Sequence, residues 1–337
     1  MSPTVPTDPV LLIGGTGLVG RAALKSLRAR YPELPLAIGT RSIAKARAAT
    51  QDEIGVDAVE VDLSRLDLGL VADARFSAVI MFVKDETLNA ARFAQARGSA
   101  YLDISTATFE IGPEVSLHAQ NPGAAAILLA SNWLAGASTW AALHFAEQFD
   151  KVDAVRVAAL LDELDVGGEA AEADYVRQTT AGPSGLLREH GRWGWASGDA
   201  AQRSFIDVGG VTHRSQVFAN LDVLSLSAQL DAASVSFEFA VGETSSRRDG
   251  EQFSTEIIIE IEGSRRNGGQ GRYRFEVVHP DGQAPLTAAA ISLGLGGLLG
   301  LDGRPPAAAG LHLPHLLVDP HHAVRVMRSA GASVREA

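Results

Sequence analysis

Through the first 130 residues the apolar positions fall into short unbroken runs separated by stretches of helical period. Val10 to Ile13 is such a run. After it, Leu18, Val19, Ala22, Ala23 and Leu27 share one helical face and Arg21, Lys25 and Arg28 the other. Leu34 to Ile38 is a second run, followed by a helix from about Ile43. Val59, Val61 and Leu63 then alternate with Glu60 and Asp62. Ser77 to Val83, Ala100 to Ile104 and Ala125 to Ala130 complete the set, with a helical pattern over Thr87 to Arg97. Continuous apolar runs are what strands covered on both faces require. Strands alternating with helices predict a parallel, doubly wound sheet. Ligands of such sheets bind beyond the carboxyl ends of the strands. The predicted site positions are therefore Gly14 to Gly20, Thr40 to Ser42, Asp62 and Leu63, Val83 to Asp85, Ile104 to Thr106, and Ser131 with Asn132.

From Lys151 the pattern changes. Val152 to Leu161, Val235 to Val241, Thr255 to Glu262 and Arg272 to His279 read as strands, the last two joined by a flexible loop over Gly263 to Gly271. Tyr273, Phe275 and Val277 alternate with Arg272, Arg274 and Glu276, which predicts an antiparallel sheet with one buried face. Such a sheet either roofs a substrate site or forms a dimer interface, and the pattern does not separate the two. Asp162 to Asp174 holds six acidic residues and reads as a solvated helix face or loop. Asn121 to Ala146 and Ala284 to Leu301 are uncharged, but histidine, asparagine or glycine interrupts them, so both read as interior elements. The expected class is α/β: a Rossmann sheet plus an α+β domain with a mainly antiparallel sheet. The expected division is a nucleotide-binding domain over 1–133, a substrate and dimerisation domain over 134–284, and a C-terminal helical segment over 285–337 returning to the first domain.

The run at Val10 leads straight into Gly14-Gly15-Thr16-Gly17-Leu18-Val19-Gly20, between a strand and a helix. This is the context that makes a glycine pattern a dinucleotide site. Glycine allows the tight turn, the approach of backbone to pyrophosphate, and close packing of helix on strand. The helix start then offers free N–H groups to the phosphates. The end of the second strand bears on the choice of dinucleotide. NAD sites usually carry an acidic residue about 20 residues past the glycines. Here Thr40-Arg41-Ser42 stands instead, and a guanidinium flanked by hydroxyls suits a 2′-phosphate. NADP is expected over NAD, with Asp62 and Leu63 at the adenine edge.

Length and charge narrow the partners. The chain has 337 residues, enough for two domains. A net charge of −11 argues against nucleic acid and anionic membranes, leaving a small-molecule substrate. With no cysteine, thiol catalysis, disulfides and cysteine metal sites are excluded. Met1 to Pro9 lacks the basic and apolar regions of a secretory leader, so a cytoplasmic protein is expected. His312 and His315 flank Pro314, and His321 and His322 are adjacent. Neither spacing suits a helical metal pair, and no metal is expected.

Taken in order, GGTGLVGR at 14–21, TRS at 40–42, VDLS at 61–64, the apolar strand leading to Lys84, YLDIS at 101–105, LASNWLAGAS at 129–138 and LPHLLVDPHHAVRVMRSAG at 313–331 resemble the saccharopine dehydrogenase-like reductases. The likeness is firm over the first ~140 residues, where motif context supports it. LAGAS lacks the proline of the family's corresponding turn, though Gly136 is kept. The resemblance implies hydride transfer between NAD(P)H and a C=N bond of an imine, opine-type or amino-acid-derived substrate, and a homodimer of two-domain subunits is expected.

Candidates for that chemistry come from the strand ends. Lys84 is a proton donor or carboxylate binder, and Asp103 with Ser105 closes the fifth strand. Tyr175 is the aromatic hydroxyl beyond the first domain. Lys84, Asp103 and Tyr175 form the expected catalytic set, and Val83 and Lys84 also border the cofactor. His213 and His279 are acid–base candidates by type. Arg177, Arg188 and Arg192 are candidate carboxylate binders. None of Tyr31, Tyr101, Tyr175 and Tyr273 has a lysine four residues on, so the tyrosine–lysine pair of short-chain reductases is absent. That leaves a second reading open, a non-catalytic NADP-binding sensor or scaffold.

Overall fold

The computed structural model describes residues 5–51, 55–165, 167–180 and 184–337. The chain begins with β1 (Val10–Ile13), α1 (Leu18–Arg30), β2 (Leu36–Thr40), α2 (Ile43–Thr50), β3 (Val56–Glu60) and β4 (Ala78–Met81). It continues through α3 (Asn89–Arg97), β5 (Ala100–Asp103), α4 (Ile111–Gln120), β6 (Ala126–Leu129) and α5 (Ala137–Ala146). β1 is buried at all four positions. Val10 and Leu12 join one apolar cluster with Ala23, Leu24 and Leu27 of α1, while Leu11 and Ile13 join the cluster on the opposite face. That two-sided burial is why the strand reads as VLLI rather than as an alternation.

The second region holds β7 (Phe149–Asp162), α6 (Glu169–Thr180), β8 (Gly185–Glu189), β9 (Arg192–Ala196), β10 (Gln202–Ile206) and β11 (Thr212–Val217). It continues with α7 (Asp222–Gln229), β12 (Ser234–Gly242), the single turn α8 (Ser245–Arg248), β13 (Thr255–Arg265) and β14 (Gln270–His279). The last elements are α9 (Gln283–Leu299), β15 (Gly310–His312), α10 (Pro314–Leu317), α11 (Pro320–Ser329) and β16 (Ser333–Glu336).

Among the described residues the first sheet has the order β15-β6-β5-β4-β1-β2-β3, with every pair parallel. The order reverses between β1 and β4, and this is the crevice where a doubly wound sheet binds its ligand. The second sheet runs β10-β11-β12-β7-β13-β14-β16, with the β8–β9 hairpin attached through β12. Its pairs are antiparallel except β12 with β7. The inner face supplies Val157, Ile259, Phe275 and Val277 to the same core that holds Val10 and Leu12, so both sheets share one apolar interior. Phe275 stacks on Phe145 of α5 at 4.2 Å between ring centroids. On the outer face β10 turns back over the sheet: Arg156 of β7 donates to the Ser204 carbonyl and Arg274 of β14 to that of Ile206.

Several expectations are corrected in detail. The third strand ends at Glu60 instead of Leu63, so Asp62 and Leu63 lie in the turn beyond it. The supposed flexible loop over 263–271 is mostly strand, since β13 runs to Arg265 and β14 starts at Gln270, leaving a four-residue turn. The segment after 285 is not only helical and does not return to the first sheet alone. β15 extends the first sheet beside β6, whereas β16 pairs with β14 in the second. Ala284 to Leu301, read as an interior element, falls largely on α9, which is buried and packed on α1. No helix among the described residues is long and apolar enough to cross a membrane.

Candidate functional site

The glycine turn is fixed by space. A Cβ at Gly20 would stand 2.6 Å from the Gly15 Cα and 2.8 Å from the Gly14 carbonyl oxygen, both backbone, so α1 rests directly on the turn. Gly14 has φ +83°, a conformation that costs glycine little. Gly17 precedes the first turn of α1 and no side chain caps it, and that turn holds no acidic residue. The N–H groups of Leu18, Val19 and Gly20 find no acceptor among the described residues, as expected of an open helix start. Thr16, Gly17 and Leu18 reach the surface. At the end of β2, Ser42 caps α2 by accepting from the Lys45 N–H at 3.4 Å, and the Ser42 N–H donates to the Thr40 hydroxyl. Arg41 is exposed and has no polar partner among the described residues. Asp62 accepts from the Ser64 N–H and hydroxyl, which hold its carboxyl below the usual range. The Leu63 carbonyl accepts from Thr87 and Asn89.

Across the crevice the ends of β4 and β5 meet. A Cβ at Gly14 would lie 3.0 Å from Val83 Cγ1, so the glycine turn abuts the segment carrying Lys84. Lys84 Nζ donates to Thr106 Oγ1 at 2.8 Å and to Glu114 Oε1 at 3.0 Å, with Glu110 at 3.9 Å. The Thr106 hydroxyl also lies within hydrogen-bond reach of Asp103 and, at 2.8 Å, of Glu114. Asp103 accepts the Ser105 N–H at 2.8 Å. Asp103, Thr106 and Glu114 are all buried. Burial pushes the Asp103 carboxyl up to about 6, against the pull of Thr106, Lys84 and the Ser105 N–H, with Glu114 adding to the rise.

Helix α6 closes over this cluster. Asp174 accepts from the Ser105 hydroxyl. Arg177 donates to Glu110 at 2.8 Å, to the Ser105 carbonyl at 2.7 Å and to Asp174 at 2.5 Å. Just before α6, a Cβ at Gly168 would be 3.7 Å from the Leu18 Cβ, so the segment spans from the start of α1 to the end of β5. No residue of α6 is buried, and polar contacts hold it in place.

The structure thus brings Lys84 and Asp103 together through Thr106. It does not bring Tyr175 to them: that residue is half-exposed, its ring lies 6.0 Å from Phe239, and its hydroxyl has no partner among the described residues. Its neighbours Asp174 and Arg177 enter the cluster instead. Arg188 and Arg192 lie on the β8–β9 hairpin of the second sheet. His213 pairs with Asp207 at 2.7 Å and His279 bonds the Ala330 carbonyl, so each has a structural partner. No group of metal-ligating side chains forms among the described residues. Sequence reasoning missed Glu110, Glu114 and Asp174. The available signal was a pair of glutamates four residues apart just after the fifth strand.

The end of β6 is built unusually. Leu134, Ala135 and Gly136 all take positive φ, at +51°, +57° and +110°. This is how LAGAS turns without the proline. Buried Asp222 clamps the turn by accepting from the Trp133 N–H at 2.6 Å and from the hydroxyls of Ser138 and Thr139. Ser131 Oγ in turn accepts the Thr106 N–H, tying β6 to the cluster. Two cavities lie elsewhere, on the outer face of the second sheet around Arg156 and Arg203. The smaller is about 220 Å³, and neither touches a glycine turn or an open helix start.

With this geometry in place, the architecture can be compared with solved structures. Saccharopine dehydrogenase (L-Glu forming) from Saccharomyces cerevisiae matches with a TM-score of 0.64, 12% identity, and coverage of 98% of this chain and 99% of that one. The fold is that of saccharopine dehydrogenase. An amine dehydrogenase from Mycobacterium smegmatis matches with a TM-score of 0.55 at 11% identity, covering 91% of this chain and 95% of that one. A myo-inositol 2-dehydrogenase from Lactobacillus plantarum reaches 0.50 at 10% identity, covering 96% and 95%. At these identities the likeness is one of fold. No protein-family model matches the chain, and no curated protein matches it in sequence.

Proposed function

We propose that the protein is an NADP-dependent oxidoreductase of saccharopine reductase type, acting on a C=N bond. One observation carries this reading: an open, uncapped helix start on a glycine turn that admits no Cβ stands directly beside a lysine wired to a buried carboxyl. The residues present fit the dinucleotide. Gly14 to Gly20 would hold the pyrophosphate, Thr40, Arg41 and Ser42 the 2′-phosphate, Asp62 and Leu63 the adenine side, and Val83 and Lys84 would border the nicotinamide. When bound, the cofactor supplies or accepts the hydride at the substrate carbon.

The chain's own part is proton handling and exclusion of water. Lys84 Nζ, committed to Thr106 and Glu114, carries a proton toward the imine nitrogen. Asp103, protonated more readily than an ordinary carboxyl, returns one through the Thr106 hydroxyl, which at rest accepts from Lys84 and donates to Asp103 and reverses both bonds as the proton passes back. Tyr175 has no place in this relay. Helix α6 covers the strand ends and keeps bulk water from the reacting atoms. The saccharopine and amine dehydrogenases sharing this fold support a C–N substrate, though a myo-inositol dehydrogenase shares the fold as well.

Nicotinamide-fluorescence titrations of NADPH and NADH test the reading. Wild type is expected to prefer NADPH, and Arg41→Ala to lose about tenfold in NADPH affinity with little change for NADH, the loss of a charge-assisted phosphate contact being worth about 1.5 kcal/mol. Absence of binding by either dinucleotide refutes it.

A further inference from the structure

We propose that the outer face of the second sheet holds a binding site for a small oxyanion, a carboxylate or a phosphate, gripped by Arg188. The site is separate from the glycine turn and does not depend on the dinucleotide reading. Its depression comes from side-chain size. Two rows of cross-strand partners run over this face, Ser236–Arg156–Glu260 and Ser234–Ala154–Glu262–Arg272. Neighbours along such a row stand side by side on one face of the sheet. Ser234, Ser236 and Ala154 are short and the rest are long, so the short ones form a floor under a cavity of about 220 Å³. Arg188 and Glu189 of β8 and Arg203 of β10 wall the same cavity. A volume below the roughly 300–1,000 Å³ of sites for drug-sized ligands calls for a small occupant.

The charges then decide what that occupant is. Arg156 is held by Glu238 at 2.5 Å and by Glu260 at 3.3 Å, and Arg272 by Glu262 at 3.2 Å. Arg203 donates to the carbonyls of Ala200 and Gln202 and reaches Glu189 at 3.5 Å. These pairs engage every glutamate lining the cavity, and Arg188 is left over. Its guanidinium has no acceptor among the described residues, and its Nε is buried as well as unpartnered. A buried charged donor without an acceptor is costly. The planar guanidinium fork is matched by two oxygens of a carboxylate or phosphate. Arg188 is thus a carboxylate binder by residue type that the fold carries away from the crevice and aims at a cavity of its own.

The test is isothermal titration of sodium propionate and, separately, of sodium phosphate into the protein at neutral pH and equal ionic strength. The expected result is saturable binding of at least one of them, weakened at least about tenfold in Arg188→Gln, which keeps a planar polar side chain and removes the charge. Ala154→Leu fills the floor with Arg188 still in place and should weaken binding as well. Propionate alone identifies the ligand as a carboxylate, phosphate alone as a phosphate, and both together as the oxyanion they share. Binding of neither overturns the inference. So does binding that is unchanged in folded Arg188→Gln or Ala154→Leu, which is the result that phosphate lodged on the glycine turn would give. If one variant does not fold, the other decides.

Discussion

Replacing Asp103 by Asn tests the buried cluster without reference to turnover. The side chain keeps its shape, and Oδ1 still accepts the Ser105 N–H, but Nδ2 cannot accept from Thr106, whose hydroxyl turns to Glu114 at 2.8 Å. What is lost is a titrating group. Burial raises the Asp103 carboxyl from 3.8 to about 6, so the folded protein holds this proton more tightly than the unfolded chain. A group raised in this way contributes stability that is fully present below its unfolded pKa and is lost as pH rises through its folded one. A shift of about two units corresponds to about 3 kcal/mol in full, of which about 2 kcal/mol is reached by pH 4.5. Urea unfolding of wild type and Asp103→Asn at pH 8, 6 and 4.5 measures this directly. The stability of wild type relative to the variant should rise by about 2 kcal/mol from pH 8 to pH 4.5. A difference that stays constant, or narrows as pH falls, refutes the reasoning.

Two further outcomes follow from the same geometry. Gly20→Ala places a methyl group 2.6 Å from the Gly15 Cα, so α1 must move off the turn; thermal unfolding should show a loss of about 1–3 kcal/mol, and dinucleotide titration a loss of binding, whereas a stable variant that binds normally would show the turn to be slack. Arg177→Ala removes the main anchor of a helix with no buried residue; hydrogen exchange over residues 169–180 should accelerate while global stability falls by no more than about 1 kcal/mol, and unchanged exchange would show that other contacts hold α6.

Legibility in the sequence followed burial. β1, β4, β5 and β6 are covered on both faces, so apart from Asp103 at the end of β5 their letters are apolar and even their ends can be placed within a few residues. β8 to β11 were passed over because their burial is uneven. Trp193 and Trp195 of β9 are half-exposed, and in β10 only Phe205 is buried. β3 reads as running on to Leu63 because buried Val61 and half-buried Leu63 continue the alternation with Glu60 and Asp62 past its true end. In the site, Lys84 and Asp103 could be named because they stand at strand ends, a position that topology alone makes special. Glu110, Glu114 and Asp174 could not, and Arg177 could be named only as a carboxylate binder, since α6 crosses the crevice and has no apolar face to reveal where it sits. The hydroxyl of Tyr175 marks it by chemistry alone, and it is its neighbours Asp174 and Arg177 that enter the cluster.

The late strands have a bearing on how the chain reaches this state. β15 completes the edge of the first sheet beside β6, α9 covers α1, and β16 closes the second sheet beside β14, all from the segment beyond residue 282. During synthesis the first half therefore leaves the ribosome with one flank of α1 bare and the β6 edge unpaired, and it waits for almost the whole chain before either is covered. Pairings so distant along the polypeptide form slowly, and an unpaired edge invites neighbours in the meantime. A fragment cut at residue 133 would carry every glycine of the turn after β1 and yet lack the helix that covers α1.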